Sequence, residues 1–132
     1  LLPLLRTRDA RFVSLQYTAG AADEAAAYGA RQGTEIAHWQ EAIDDYDETA
    51  ALVCALDLVV SVCTSVIHLA GALGQRTWVM APYSPEWRYG FSGEAMPWYP
   101  AVKIVRQPAY DEWDPVISSV ASGLRGLAGA TG

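Results

Sequence analysis

The segment from Cys63 to His68 has the residue types of a phosphate-binding turn. It follows an apolar run that predicts a buried strand, and it carries two hydroxyl residues, Thr64 and Ser65. A helix that begins here would offer free backbone N–H groups and the positive end of its dipole to an anion. His68 lies three residues after Ser65, so its imidazole would share a helical face with the hydroxyls. The segment predicts an anion site; the alternative is a simple N-cap followed by a core histidine.

A second candidate set lies in segment 82–100, which is rich in proline and aromatic residues. Arg88 offers a planar guanidinium that can pair with a phosphate or a carboxylate, and Trp87 or Trp98 could stack on a base or a sugar. Glu86 could serve as an acid or base, or could be a solvated surface carboxylate. The segment is longer than a plain connection needs, which favours function. The alternative is a lid whose aromatic side chains bury one another.

Other polar groups are compatible with several interpretations. Arg106 closes the last predicted strand near the same end of the sheet and could add positive potential to the site or pair with an acidic neighbour. His38 and Trp39 end another strand where a base or ribose could lie. The acidic stretch 41–48 has five carboxylates, but their spacing fits no EF-hand loop, so we expect a solvated, helix-capping face. We predict no metal site.

The elements that must position these residues alternate between strands and helices. Strands are predicted over 11–17, 34–38, 57–62, 76–81 and 102–106; a loop over 41–48; and helices ending at Gly33, over 49–56, over 66–73 and from 111 to about 127. This alternation predicts an α/β fold with a Rossmann-like, doubly wound parallel sheet of about five strands and helices on both faces. Ligands of such sheets bind beyond the carboxyl ends of the strands. Neither standard glycine-rich phosphate fingerprint occurs.

Composition limits the classes of protein further. The chain has 132 residues, of which 52% are apolar, and this is enough for a single core. A net charge of −6 argues against a nucleic-acid surface, and the apolar runs are too short to predict a membrane span. The two cysteines form no CxxC pair and suggest reduced thiols. The chain begins without Met and lacks a secretory signal, so we expect a cytoplasmic fragment or processed piece of a larger protein.

The order of motifs along the chain resembles a known family. The run Asp57-Leu58-Val59 is followed by Thr64-Ser65 and then by His68-Leu69-Ala70-Gly71-Ala72-Leu73-Gly74. With these motifs the chain resembles the C-terminal domain of glycosyltransferase family 9-like proteins. They include the heptosyltransferases and, more closely, bacterial tetratricopeptide-repeat proteins that end in a glycosyltransferase-like domain. Further matching segments are Phe12–Gln16, Trp87-Arg88, Pro97–Pro100, Arg106-Gln107-Pro108 and Trp113-Asp114.

The resemblance implies one half of a GT-B enzyme that binds a nucleotide-diphosphate sugar as substrate, with no cofactor. Residues 1–10 would be a linker from a missing N-terminal part, residues 11–127 the donor-binding domain, and residues 128–132 a flexible tail. The N-terminal GT-B domain, and possibly tetratricopeptide repeats, would belong to the parent chain. The acceptor and the catalytic residues stay unassigned. The donor would be bound by Gln16, Cys63, Thr64, Ser65, His68, Trp87 and Arg88.

One position departs from the family pattern. Cys63 stands where the family usually has Asp before the Thr, and the loss of that carboxylate bears on donor orientation and on activity. A second hypothesis is therefore a catalytically degenerate interaction or scaffold module that uses the aromatic loop as its contact surface. A third is a stand-alone Rossmann-like binder of another phosphorylated ligand.

Overall fold

A computed structural model of the chain describes residues 2–130 and shows an α/β protein with parallel strands. The helices are α1 (Leu2–Leu5), α2 (Ala21–Gln32), α3 (Gln40–Asp44), α4 (Tyr46–Ala55), α5 (Ser65–Ala72) and α6 (Asp114–Ala130). The strands are β1 (Phe12–Val13), β2 (Ile36–Ala37), β3 (Val59–Val62), β4 (Thr77–Ala81) and β5 (Val102–Arg106), and a 3₁₀ turn spans Trp87–Tyr89. Residues 1, 131 and 132, which belong to the predicted linker and the predicted tail, lie outside the described residues.

The described chain divides into two compact units, one made of residues 2–49 and 121–130 and the other of residues 50–120. The first unit contains a parallel sheet of β1 and β2, and the second contains a parallel sheet in the order β3-β4-β5. The α/β class and the parallel pairing are confirmed. The five strands, however, are divided between two small sheets instead of forming one sheet.

The short pairing of β1 explains why the first sheet is small. A strand was predicted over 11–17, but only Phe12 and Val13 pair with β2, and one further hydrogen bond joins the Ser14 N–H to the Ala37 carbonyl at 2.8 Å. Strand β2 is shorter than the predicted strand 34–38 because Thr34 closes the end of α2, where its N–H donates to the Gly29 carbonyl at 3.1 Å. Gly33 adopts a left-handed conformation with φ of 69°, which confirms the predicted helix cap and directs the chain into β2.

The second unit is built around the pairing of β4 with both of its neighbours. Val59, Val79 and Ile104, one from each strand, have 2% or less of their surface exposed. Burial of a side chain of this size contributes about 1.5–3 kcal/mol, so these residues form the core of the unit. Helix α5 connects β3 to β4, whereas the connection from β4 to β5 consists of a loop and the 3₁₀ turn.

The acidic segment 41–48 is helical on both sides of Asp45, so the predicted loop is wrong. The Asp45 carboxylate accepts the N–H groups of Asp47 and Glu48 at 2.9 and 3.0 Å, at the start of α4. The Thr49 hydroxyl donates to the Ala42 carbonyl at 2.7 Å, which ties the two helices together. The helix-capping role predicted for this acidic face is confirmed, and the capping allows a second helix to start directly after the first.

The two ends of the described chain are helical. Helix α1 lies in the segment predicted as a linker, and α6 continues to Ala130, beyond residue 127 where a flexible tail was predicted to begin. Asp114 and Pro115 open α6, as the sequence indicated, because proline is favoured in the first helical turn. Among residues 2–130, no helix is long and apolar enough to cross a membrane.

Candidate functional site

A cleft of about 550 Å³ opens in the second unit at the carboxyl end of β3. Two separate stretches of the chain line it, the turn from β3 into α5 and the loop that follows β4. Six of the seven predicted donor-binding residues lie there: Cys63, Thr64, Ser65, His68, Trp87 and Arg88. The remaining lining residues are Glu86, Tyr89, Trp98 and Tyr99.

The start of α5 presents its backbone to the cleft. Thr64 occupies the N-cap position with an extended backbone, at φ −134° and ψ 171°, but its side chain makes no capping hydrogen bond. Its hydroxyl instead lies 3.0 Å from the Ser61 hydroxyl. The simple N-cap alternative therefore fails for this side chain, and within the described chain no side-chain cap occupies the first-turn N–H groups of α5.

His68 lies one turn into α5 between two tyrosine rings. Its ring centroid is 5.8 Å from that of Tyr99, at an interplanar angle of 65°, and 6.2 Å from that of Tyr89, at 46°. The imidazole is partly buried and lines the cleft, so it is not the fully buried core histidine of the alternative interpretation.

Arg88 is paired with the carboxylate two residues before it. Its guanidinium nitrogen lies 2.8 Å from the Glu86 carboxylate, and the side chains are 46% and 64% exposed. The guanidinium carbon also lies 5.0 Å from the centroid of the Trp87 ring. Such an exposed pair is weak, because water screens it and holding two long side chains in one geometry costs entropy. The guanidinium is partly neutralised but remains accessible to a competing anion.

Trp87 and Trp98 contact one another at the mouth of the cleft. Their ring centroids are 6.1 Å apart and their planes are almost perpendicular, at 87°. The two rings pack against each other, as the alternative of a self-packed lid requires. They do not bury each other, however, because they remain 64% and 57% exposed. Aromatic surface is thus available for stacking on a planar or pyranose ring.

The inner wall of the cleft is uncharged. The buried Tyr89 hydroxyl and the Cys63 thiol are neighbours in this wall. Burial raises the pKa of the Cys63 thiol above its ordinary value. Burial and the neighbouring Cys63 raise the pKa of the Tyr89 hydroxyl well above its usual range. Both groups therefore keep their protons at neutral pH, which excludes a thiolate nucleophile and a tyrosinate base at this wall.

Arg106 adds positive potential at the inner wall of the cleft, where its charge lowers the pKa of the Cys63 thiol against the larger effect of burial, but it also makes main-chain contacts that the sequence did not suggest. Its guanidinium donates to the main-chain carbonyls of Tyr89, Gly90 and Gly93, the last two at 3.1 and 2.7 Å. The alternative interpretation, an ion pair with an acidic neighbour, is not met among residues 2–130. The guanidinium instead holds the loop that forms one wall of the cleft. Sequence reasoning missed this role because the accepting carbonyls belong to a loop more than ten residues away.

Gln16 does not line the cleft. It is exposed after β1 in the first unit, where its N–H lies 3.4 Å from the Ser14 hydroxyl. His38 and Trp39 line a groove of about 680 Å³ formed by α2 and β2 within that unit. The His38 Nε2 lies 3.1 Å from the side-chain oxygen of Gln40. Gln16, His38 and Trp39 all belong to the first unit.

Metal-binding side chains are not gathered at any point of the described structure. Among residues 2–130, no group of three or more His, Cys, Asp and Glu residues is placed to hold a metal ion. Both cysteines, Cys54 and Cys63, are free thiols. The polar groups that line the cleft include the start of α5, the His68 imidazole, the Arg88 guanidinium and the Glu86 carboxylate.

The similarity to known proteins extends along the whole chain. The chain is similar to Protein FlbA of Caulobacter vibrioides. The two are 39% identical over 131 residues, which cover 96% of this chain and 21% of FlbA. The chain thus spans about a fifth of the length of FlbA. No protein-family profile and no solved structure matches it.

Replacing Arg106 with Met should loosen the wall of the cleft. A hydrogen bond from a charged donor contributes about 1.5–3 kcal/mol, and the bonds of Arg106 are partly exposed to water and contribute less each, so we expect a total loss of roughly 2–3 kcal/mol in the free energy of unfolding, measured by urea denaturation. The amides of Tyr89 and Gly90 should also exchange faster with deuterated solvent. The control is Arg88→Met, which removes an exposed ion pair and should change stability by less than about 1 kcal/mol. If the two amides exchange at the wild-type rate, Arg106 does not hold this wall of the cleft.

Proposed function

We propose that this chain is the donor-binding domain of a glycosyltransferase, which binds a nucleotide-diphosphate sugar for transfer to an acceptor. The observation that carries the proposal is the cleft itself, in which six predicted donor-binding residues from two distant stretches meet. Its volume of about 550 Å³ lies within the usual range of small-molecule sites. Under this proposal the parallel strands belong to one doubly wound, Rossmann-like half of a GT-B enzyme.

The start of α5 is the proposed diphosphate site. The uncapped N–H groups, the hydroxyls of Thr64 and Ser65 and the imidazole of His68 would donate hydrogen bonds to the phosphate oxygens. The guanidinium of Arg88 would join them once it exchanges the Glu86 carboxylate for a phosphate. In a transfer reaction the same donors would stabilise the charge that develops on the departing diphosphate.

The indole pair is the proposed site for the flat part of the donor. Trp87 and Trp98 offer exposed aromatic surface beside the polar helix start, and a base or a sugar stacks on such surfaces. Base and sugar recognition would then come from the loop, whereas the diphosphate would be bound by α5. The two tasks are divided between the two stretches that line the cleft.

The rest of the reaction would be supplied by parts of a longer protein. The inner wall of the cleft offers no ionised base, because Cys63 and Tyr89 keep their protons. A general base and the acceptor site would come from a second, N-terminal GT-B domain, in a parent chain that would also carry tetratricopeptide repeats. The similarity to about a fifth of FlbA supports a role as part of a longer chain. We place the reaction in the cytoplasm and expect it to need no metal or further cofactor.

Nucleoside diphosphates should raise the melting temperature of the protein. At ten times its Kd a ligand adds about 1.4 kcal/mol of stability, which corresponds to a rise of a few degrees. His68→Ala should abolish the rise because it removes a donor at the helix start, whereas His38→Ala, a histidine of the first unit, should preserve it. The measurement is a melting curve with UDP, GDP or ADP at millimolar concentration. If none of the three changes the curve, donor binding by this chain is refuted.

Glu86→Gln should strengthen the binding of a nucleoside diphosphate. The substitution frees Arg88 and removes a negative charge from the lining of the cleft, so Kd should fall about two- to fivefold at low salt, the equivalent of one exposed ion pair. The gain should shrink in high salt, where exposed charges are screened. Glu94→Gln is the matched control, because Glu94 pairs with Lys103 at 3.3 Å and does not line the cleft. An equal gain in both variants would assign the effect to net charge alone.

A catalytically degenerate interaction or scaffold module is the second candidate function. It is favoured by Cys63, which stands where the resemblance leads us to expect Asp, and by the exposed aromatic surface of the loop, where Phe91 is 90% exposed. In this alternative the loop would contact a partner protein and the cleft would bind no donor.

Replacing Cys63 with Asp separates the two functions. A weakened donor site should bind nucleoside diphosphates more tightly once the carboxylate is present, as measured by calorimetric titration. Cys63→Ser, which changes the residue without adding a charge, should leave the affinity unchanged. If Cys63→Asp folds with the wild-type circular dichroism spectrum and gains no affinity, the scaffold function is favoured.

A further inference from the structure

We infer that Tyr99 is a positioning residue, which rests on Gly71 and fixes the direction in which His68 meets a bound anion. The inference deepens the proposed function, because it concerns the orientation of one donor at the proposed diphosphate site. It rests on packing contacts that are present without any ligand.

His68 is oriented by rings and not by hydrogen bonds. In the described chain its imidazole makes no hydrogen bond, and its ring neighbours are Tyr89 and Tyr99. Tyr99 is the closer of the two and meets it in an edge-on geometry, at 5.8 Å and 65°. An aromatic pair of this kind has a preferred geometry, so displacement of the tyrosine ring would allow the imidazole to turn.

Gly71 provides the surface on which the Tyr99 ring lies. It follows His68 by three residues on α5 and so belongs to the same face of the helix. A Cβ atom at this position would lie 2.4 Å from Cγ, 2.6 Å from Cδ2 and 2.9 Å from Cβ of Tyr99. These atoms are close to the tyrosine main chain, so the ring cannot avoid the clash by a small rotation at its tip. Position 71 needs glycine for space, not for an unusual backbone angle.

The main chain of Tyr99 is held by a hydrogen bond to the start of β5. Its carbonyl accepts the N–H of Val102 at 3.1 Å, at the start of β5, and its side chain packs against the buried cluster of the second unit. Pro97 and Pro100 flank the segment and restrict its backbone angles. The ring of Tyr99 therefore packs against Gly71 of α5, while the Tyr99 main chain is hydrogen-bonded to β5.

The orientation of His68 matters because Arg88, the arginine that lines the cleft, is already paired. Arg88 is partly neutralised by Glu86, so an imidazole N–H aimed over the helix start would be an important donor to a phosphate. Donors contribute most when their geometry is set before the ligand arrives, and a small misplacement can cost a large factor in affinity.

The test compares two substitutions that disturb the ring with two that do not. Gly71→Ala forces Tyr99 away from α5, and Tyr99→Leu removes the ring. Tyr99→Phe keeps the ring and loses only the hydroxyl. Gly126→Ala is the matched control for the glycine, because it makes the same change inside α6, where a Cβ atom would have no neighbour within 4 Å.

The first measurement uses the ligand-free protein. The imidazole carbon-bound proton resonances of its two histidines are recorded by NMR, with His38 of the first unit as an internal reference. Gly71→Ala and Tyr99→Leu should move the His68 resonances, which feel the ring current of Tyr99. Both variants should leave those of His38 in place, and Tyr99→Phe and Gly126→Ala should leave both sets near their wild-type positions.

The second measurement is the Kd for inorganic pyrophosphate. Gly71→Ala and Tyr99→Leu should weaken binding about ten- to a hundredfold, as expected for a misplaced donor, whereas Tyr99→Phe and Gly126→Ala should stay within about twofold of wild type. If Gly71→Ala fails to fold, the comparison of Tyr99→Leu with Tyr99→Phe decides. Wild-type affinity in Tyr99→Leu would overturn the positioning role.

The two proposals fail in different ways. If wild-type protein binds neither pyrophosphate nor a nucleoside diphosphate, the proposed function is refuted, while the ligand-free NMR measurement still tests whether the Tyr99 ring packs against His68, as the positioning role requires. If the His68 resonances do not move in Gly71→Ala or Tyr99→Leu, the positioning role is refuted even where pyrophosphate binds.

Discussion

The cleft depends on the hydrogen bonds that Arg106 makes to the loop after β4. A single guanidinium reaches four carbonyls, those of Tyr89, Gly90, Ser92 and Gly93, and it is itself anchored at the end of a paired strand. Irregular backbone otherwise leaves polar groups without partners, and a planar fork of donors satisfies several at once. The loop that carries Trp87 and Arg88 is thereby attached to the sheet. The remaining features of the cleft follow from that attachment.

Recognition in this cleft is local and does not follow the charge of the whole chain. The protein carries a net charge of −6, and the charges of Glu86 and Arg88 in the cleft cancel formally. An anion would be attracted by oriented N–H groups over a few ångströms, where the helix dipole acts, and not by a long-range positive field. Under the proposed function, such a site would select its ligand by shape and hydrogen-bond geometry.

The contiguous part of the site was predictable from sequence, and the rest was not. Cys63, Thr64, Ser65 and His68 follow one apolar strand and precede one helix, so local pattern rules place them together. Trp87 and Arg88 were predicted from residue type alone, and their meeting with α5 depends on a connection that has no periodicity. Local patterns also cannot reveal that Arg106 faces carbonyls instead of a ligand, or that Gly71 makes room for a ring from another segment. The pairing of five strands into two sheets is likewise set by long-range register.

The loop between β4 and β5 stands where a helix would usually connect two parallel strands. The contacts of this loop with the core limit how far the cleft can open. Tyr89 and Met96 of the loop are 2% and 4% exposed and belong to the same buried cluster as Val79 and Ile104. The Ile104 N–H also donates to the Glu94 carbonyl at 2.7 Å. Movement of this wall away from α5 would expose core side chains to water. The contacts that hold this wall in place are also core contacts of the second unit. A large movement of the wall therefore requires local unfolding.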